Sequence, residues 1–115
     1  MAYDEGLAQI FEDDLSGNAN ITSKKMFGGL CFLNNGHMVC GVHQYKDKTS
    51  DMAMFRTGPD RYAEALCVEG VQELSFTGRP MKGMVECDAE LLADDVRRIK
   101  MLELALAFTN SLPPK

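Results

Sequence analysis

Leu30-Cys31-Phe32-Leu33-Asn34-Asn35-Gly36-His37-Met38-Val39-Cys40-Gly41-Val42 is two apolar runs joined by one Asn-Gly pair. A two-residue type I′ hairpin needs positive φ at both central positions, and Asn-Gly supplies it. The turn predicts an antiparallel pair whose opposed residues sum to 71, setting Asn34 against His37, Leu33 against Met38, Phe32 against Val39 and Cys31 against Cys40. Counted back from the turn, Cys31 and Cys40 form a non-hydrogen-bonded pair, where α-carbons approach to about 4.5 Å.

Outward from the hairpin, Met26-Phe27 and Met52 to Phe55 extend the β-favouring pattern across residues 24–56. Before it, Leu7, Ile10, Phe11 and Leu15 make the stripe of an amphipathic helix over 4–15, with Asp4 placed as its cap. Ser16-Gly17-Asn18 ends that helix, Gly being the residue that most readily takes the left-handed conformation. After it, Gly58-Pro59 opens a second helix with proline at its first position and Asp60 in its first turn. Short strands around Glu73 to Phe76 and Met81 to Cys87 flank Gly78-Arg79-Pro80, and a closing helix runs from about Leu91 to Asn110 until Pro113-Pro114 stops it. The order helix, three strands, helix, two strands, helix (α-β-β-β-α-β-β-α) is an α+β domain of two layers around one antiparallel sheet.

One domain over residues 1–115 is the expectation for this length, and the 45% apolar and 25% charged residues are ordinary globular composition. No apolar run or basic leader points to a membrane or to export, so a cytoplasmic chain is expected. Twelve basic against 17 acidic side chains leave a net charge of −5, which disfavours specific binding of nucleic acid by this chain alone. The four cysteines form no CxxC pair and are expected as thiols in a reducing compartment.

Three Gly- or Pro-anchored blocks occur in order: Lys24-Lys25-Met26-Phe27-Gly28-Gly29, Gly78-Arg79-Pro80-Met81-Lys82-Gly83 and Ser111-Leu112-Pro113-Pro114-Lys115. With Arg56-Thr57-Gly58-Pro59 between the first two and Met1-Ala2-Tyr3-Asp4-Glu5 at the start, they resemble the N-terminal domain of TfoX/Sxy-type competence regulators over nearly the whole chain. The resemblance implies a secretion-chaperone-like fold and a regulatory association without established catalysis. The further C-terminal domain of full-length regulators is expected to be absent, since the chain stops at Lys115. A non-enzymatic module working by protein contact, with a partner in transcription or competence control, is the leading expectation.

Three residue sets carry alternatives. Arg56, Arg79 and Lys82 stand near a Gly-Pro helix start and a tight turn, where free amides attract anions, and would make a small-anion sensor or a partner contact. Cys31 and Cys40, if opposed, would make a redox pair, although apolar neighbours raise thiol pKa values. Cys40 and His43, three apart on a strand, point to opposite faces, so no metal site is expected. No nucleophile, base and orienting group assemble, and no cofactor motif is present. Finally, both hairpin faces and two stripes of the last helix are apolar, which predicts a homodimer that buries the surplus.

Overall fold

The computed structural model describes residues 4–26, 29–44, 51–74 and 82–113. Helix α1 (Glu5–Leu15) is followed by strands β1 (Ile21–Met26), β2 (Gly29–Asn34), β3 (His37–Gln44) and β4 (Asp51–Arg56). A 3-10 turn (Pro59–Arg61) leads into α2 (Tyr62–Leu66), then β5 (Val71–Glu73), β6 (Met84–Asp88), α3 (Ala89–Leu92) and α4 (Asp95–Asn110). The α+β class and the order of elements are the expected ones, with one strand more before Pro59 and the closing helix divided in two.

Both differences have local causes. Ile21-Thr22 supplies β-branched residues ahead of Met26, so β1 begins five residues earlier than its apolar end suggests. The closing helix breaks at Ala93-Asp94 because Asp94 is a second cap: its carboxylate accepts from the Val96 amide at 3.0 Å and the Arg97 amide at 3.3 Å. Asp4 caps α1 as expected, accepting from the Leu7 amide at 3.0 Å. The end of α1 differs: Ser16 closes it in the right-handed helical region, and Gly17 is not among the glycines of positive φ.

Among the described residues the strands form one antiparallel sheet in the order β1-β2-β3-β4-β6-β5. The Asn-Gly turn is as read, with φ of 52° at Asn35 and 86° at Gly36. Asn34 opposes His37 and Leu33 opposes Met38, but a bulge then intervenes, so Phe32 opposes Cys40 and Cys31 opposes Gly41. The expected pairings of Phe32 with Val39 and of Cys31 with Cys40 are therefore corrected by one residue. A bulge sets two residues of one strand against one of the other, and here Val39 and Cys40 both join the core that holds Phe32.

With that register, cross-strand rows can be followed through the sheet. Glu73, Val85, Phe55, Cys40, Phe32 and Ser23 form one row on the helix-covered face, and Val71, Cys87, Ala53, Val42, Leu30 and Lys25 another. Phe11 of α1 closes on these rows, edge-to-face with Phe32 at 5.9 Å and Phe55 at 5.6 Å between centroids. Leu91, Leu92, Met101, Leu102 and Ala105 complete this core from α3 and α4. Arg98 locks the helices together, donating to Asp14 of α1 at 2.7 Å, Asp95 at 2.8 Å and the Leu92 carbonyl at 2.8 Å.

The opposite face carries a smaller cluster of Cys31, Met54 and Leu74, against which Met26, Met38 and Met84 pack. Cys31 and Met54 are each 1% exposed in a single chain, so this chain covers much of the second apolar face itself. The surplus that motivated a homodimer shrinks accordingly. On α4 the large apolar side chains left exposed are Val96 and Ile99.

Candidate functional site

The basic residues of the expected anion site lie at one end of the sheet. Arg56 ends β4 opposite Met84, and its guanidinium sits 5.2 Å from the centroid of the Phe108 ring. The amides of Thr57 and Gly58 both donate to the Gly83 carbonyl, at 2.8 and 3.1 Å. Two amides that would have received an anion are thus engaged by the chain. Lys82 precedes Gly83 and is exposed, and Arg79 lies outside the described residues. Gly58 (φ 80°, ψ 160°) and Gly83 (φ 93°) make this junction possible, because a Cβ on Gly83 would stand 3.0 Å from the Gly58 carbonyl carbon.

Cys31 and Cys40 are not brought together as cross-strand partners. Cys40 belongs to the helix-side core and Cys31 to the cluster on the opposite face, where Gly41 stands across from it. Burial pushes the Cys31 thiol up to about 11 and holds Cys40 well above its ordinary value, the latter with help from Cys31, Asp14 and Cys87. Burial also pushes Cys87 up to about 12, with Asp88 and Glu86 adding to it. Thiols of this kind are nearly all protonated at neutral pH and react slowly. Iodoacetamide on the native protein should therefore modify Cys67, the one exposed cysteine, and reach the other three only after unfolding, as read by mass. Modification of Cys31 at the rate of Cys67 would contradict this.

The second face also holds a polar group that the sequence reading missed. Gln72, Glu86, Met54, Gly41, Cys31 and Lys24 form one cross-strand row. Gln72 donates to Glu86 at 3.0 Å, and His43 Nε2 lies 3.6 Å from the other Glu86 oxygen. Glu86 is fully buried and His43 is 4% exposed. Read by alternation, Val85-Glu86-Cys87 assigns Glu86 to solvent; the three residues meet only through pairings distant in sequence. Among the described residues no group of three or more His, Cys, Asp or Glu side chains is arranged to hold a metal ion.

Burial lowers the His43 pKa below its ordinary 6.5, while the charge and hydrogen bond of Glu86 oppose that shift. The unfolded chain then takes up a proton near pH 6.5 that the folded chain declines. Stability is accordingly full above that pH and falls as the pH drops through it. Urea midpoints should decrease between about pH 7.5 and about pH 6, and His43→Gln should flatten the slope. An unchanged slope in the variant would assign it to another group.

Among the described residues, two hollows lie beside the sheet. One of about 460 Å³ is rimmed by Asp51, Asp88 and Glu90 with Gln72 and Gly70, an acidic lining that repels anions. The other, of about 250 Å³, lies between the end of α1 and β1 and is lined by Glu12, Leu15, Ile21, Thr22, Ser23 and Phe32. Beside it runs the longer edge of the sheet. The four central residues of β1, Thr22 to Lys25, are exposed on both faces. The Asn35 amide donates to the Asn20 carbonyl at 3.1 Å, which fixes the alternation. Thr22, Lys24 and Met26 turn their backbone groups to β2, while Ser23 and Lys25 turn theirs to the open edge. Sequence reading had Lys24-Lys25 only as part of a block; Ile21-Thr22 was the signal for a strand there.

No helix among the described residues is long and apolar enough to cross a membrane. Searches of curated proteins and of solved structures returned no match. A family model, the TfoX N-terminal domain, matches residues 13–109. That span runs from the last turn of α1 to the end of α4 and takes in every strand, so the chain belongs to the TfoX N-terminal domain family.

Proposed function

We propose that this chain is a regulatory or adaptor module that works by protein contact and turns over no substrate. The TfoX N-terminal family is linked to competence regulation, which is the context in which such a module would act. The observation that carries the reading is the edge at β1: a six-residue strand that, among the described residues, pairs only with β2 and has its central residues exposed on both faces. Strand edges of this kind recognise extended peptides through main-chain hydrogen bonds. An anion sensor at Arg56 and Lys82 has less support, since the Thr57 and Gly58 amides are engaged by Gly83 and Arg56 is stacked on Phe108.

Partners in this reading are proteins, not DNA. Arg97, Arg98 and Lys100 are the basic cluster of α4, and each is paired: Arg97 with Asp94 at 2.8 Å, Arg98 with Asp14 and Asp95, and Lys100 with Glu64 at 3.2 Å. Phosphates would have to displace those carboxylates. Gel shifts with duplex DNA at physiological salt should show no saturable, sequence-dependent complex, and such a complex would count against the reading. The direct test is purification of the tagged chain from its native cells. A stoichiometric protein of the transcription machinery is expected; recovery of a metabolite with no protein would overturn the proposal.

A further inference from the structure

We infer that β1 is a docking edge for an extended, acidic segment of a partner protein, which adds as a seventh strand and seats one apolar side chain in the hollow beside Ser23. This rests on the adaptor reading and specifies its surface. The helix-side row Val85, Phe55, Cys40, Phe32 is apolar until it reaches Ser23, where it stops at a small polar residue on the edge. An added strand continues that row by one position. Its side chain opposite Ser23 meets a space whose floor is Leu15, Ile21 and Phe32 and whose rim is the polar set Glu12, Ser16, Asn18 and Thr22. At about 250 Å³ that space falls below the roughly 300–1,000 Å³ of small-molecule sites and is of a size for one or two side chains.

Charge selects the occupant. Lys25 is on the same face as Ser23, one row further along, and Lys24 is on the opposite face; both are exposed. Edge lysines are a device against unwanted pairing, and here they act against a second copy, since two β1 strands side by side bring four lysines into one short ribbon. An acidic strand has the opposite response. Because side chains on one face of a strand recur every second residue, the apolar residue opposite Ser23 and the acid opposite Lys25 stand two positions apart. Glu12 on the rim of the hollow reinforces that order, since it repels an acid placed there and leaves the apolar residue.

The test uses the full chain, labelled with 15N, and a ten-residue peptide of alternating valine and threonine carrying one leucine and, two positions away, one glutamate. The largest shifts are expected at the Ser23 and Lys25 amides, which also become protected from exchange. A lysine in place of the glutamate should weaken binding at least about tenfold, as should Ser23→Pro, a change an edge strand tolerates while losing the outward amide. Methylating the peptide amides that face β1 makes the same cut from the other side and needs no variant to fold. Equal binding by the lysine or methylated peptide, or shifts confined to another surface, would overturn the inference. In cells, a partner kept equally by the native chain and by Ser23→Pro removes the edge but leaves the adaptor reading, whereas a native chain that holds no protein removes the adaptor reading itself.

Discussion

Gly29→Ala should destabilise the protein by at least about 3 kcal/mol, a loss at the upper end of overpacking effects. A Cβ at this position would press into the Val42 carbonyl oxygen, with His43 Cβ and the Val42 carbonyl carbon each at 3.1 Å. The obstacle is backbone of the neighbouring strand, so no rotamer change relieves it. Relief requires β2 to move away from β3, and that seam carries the Phe32 and Cys40 row of the core. Gly17→Ala is the matched control: nothing lies within 4 Å of its Cβ, its φ is not positive, and a change within about 0.5 kcal/mol is expected. Urea unfolding of the two variants decides the matter, and similar midpoints would show that the sheet yields at Gly29.

The contrast between these glycines marks how far the chain could be read without its structure. Asn35-Gly36 specifies its turn locally, since both residues must adopt positive φ and few dipeptides do; Asp4, Leu7, Phe11 and Leu15 likewise specify α1 by short-range chemistry. The bulge at Val39 and Cys40 was not legible. Both residues are apolar, and either register gives an apolar sequence on both faces of the hairpin, so alternation had nothing to distinguish them. What decides is the fit of Val39 and Cys40 together in the core that also holds Phe11 and Phe32.

The candidate sites divide the same way. Arg56 and Gly83 were legible as members of Gly-Pro blocks, and the fold does bring their loops together through the Thr57 and Gly58 amides. Glu86 was not, because a carboxylate in a strand reads as a solvated face unless the opposite layer is known. Its burial depends on Gln72, two strands' worth of pairing, and His43 from β3. The β1 edge falls between these cases. Lys24 and Lys25 are visible as charges, but only the strand order shows that they stand on the edge strand of the sheet formed by the described residues.

Gly58→Ala should cost about 4 kcal/mol in the native sequence but only about 2 kcal/mol when Phe108 is already alanine, a coupling of about 2 kcal/mol. Two separate effects act at this position. The backbone stands at φ 80° and ψ 160°, a region that residues with a Cβ scarcely enter, with a cost of about 1–3 kcal/mol. The Cβ would also intrude on the Phe108 ring, with its Cγ at 2.6 Å and its Cε1 at 2.7 Å. Removing the ring abolishes the second effect and leaves the first. Swinging the ring aside in the single variant would give up its contact with the Arg56 guanidinium, 5.2 Å from the ring centroid. A double-mutant cycle of Gly58→Ala and Phe108→Ala measures the coupling directly. Additive losses would mean that backbone strain alone reserves this position for glycine, and that Phe108 packs against Gly58 without constraining it.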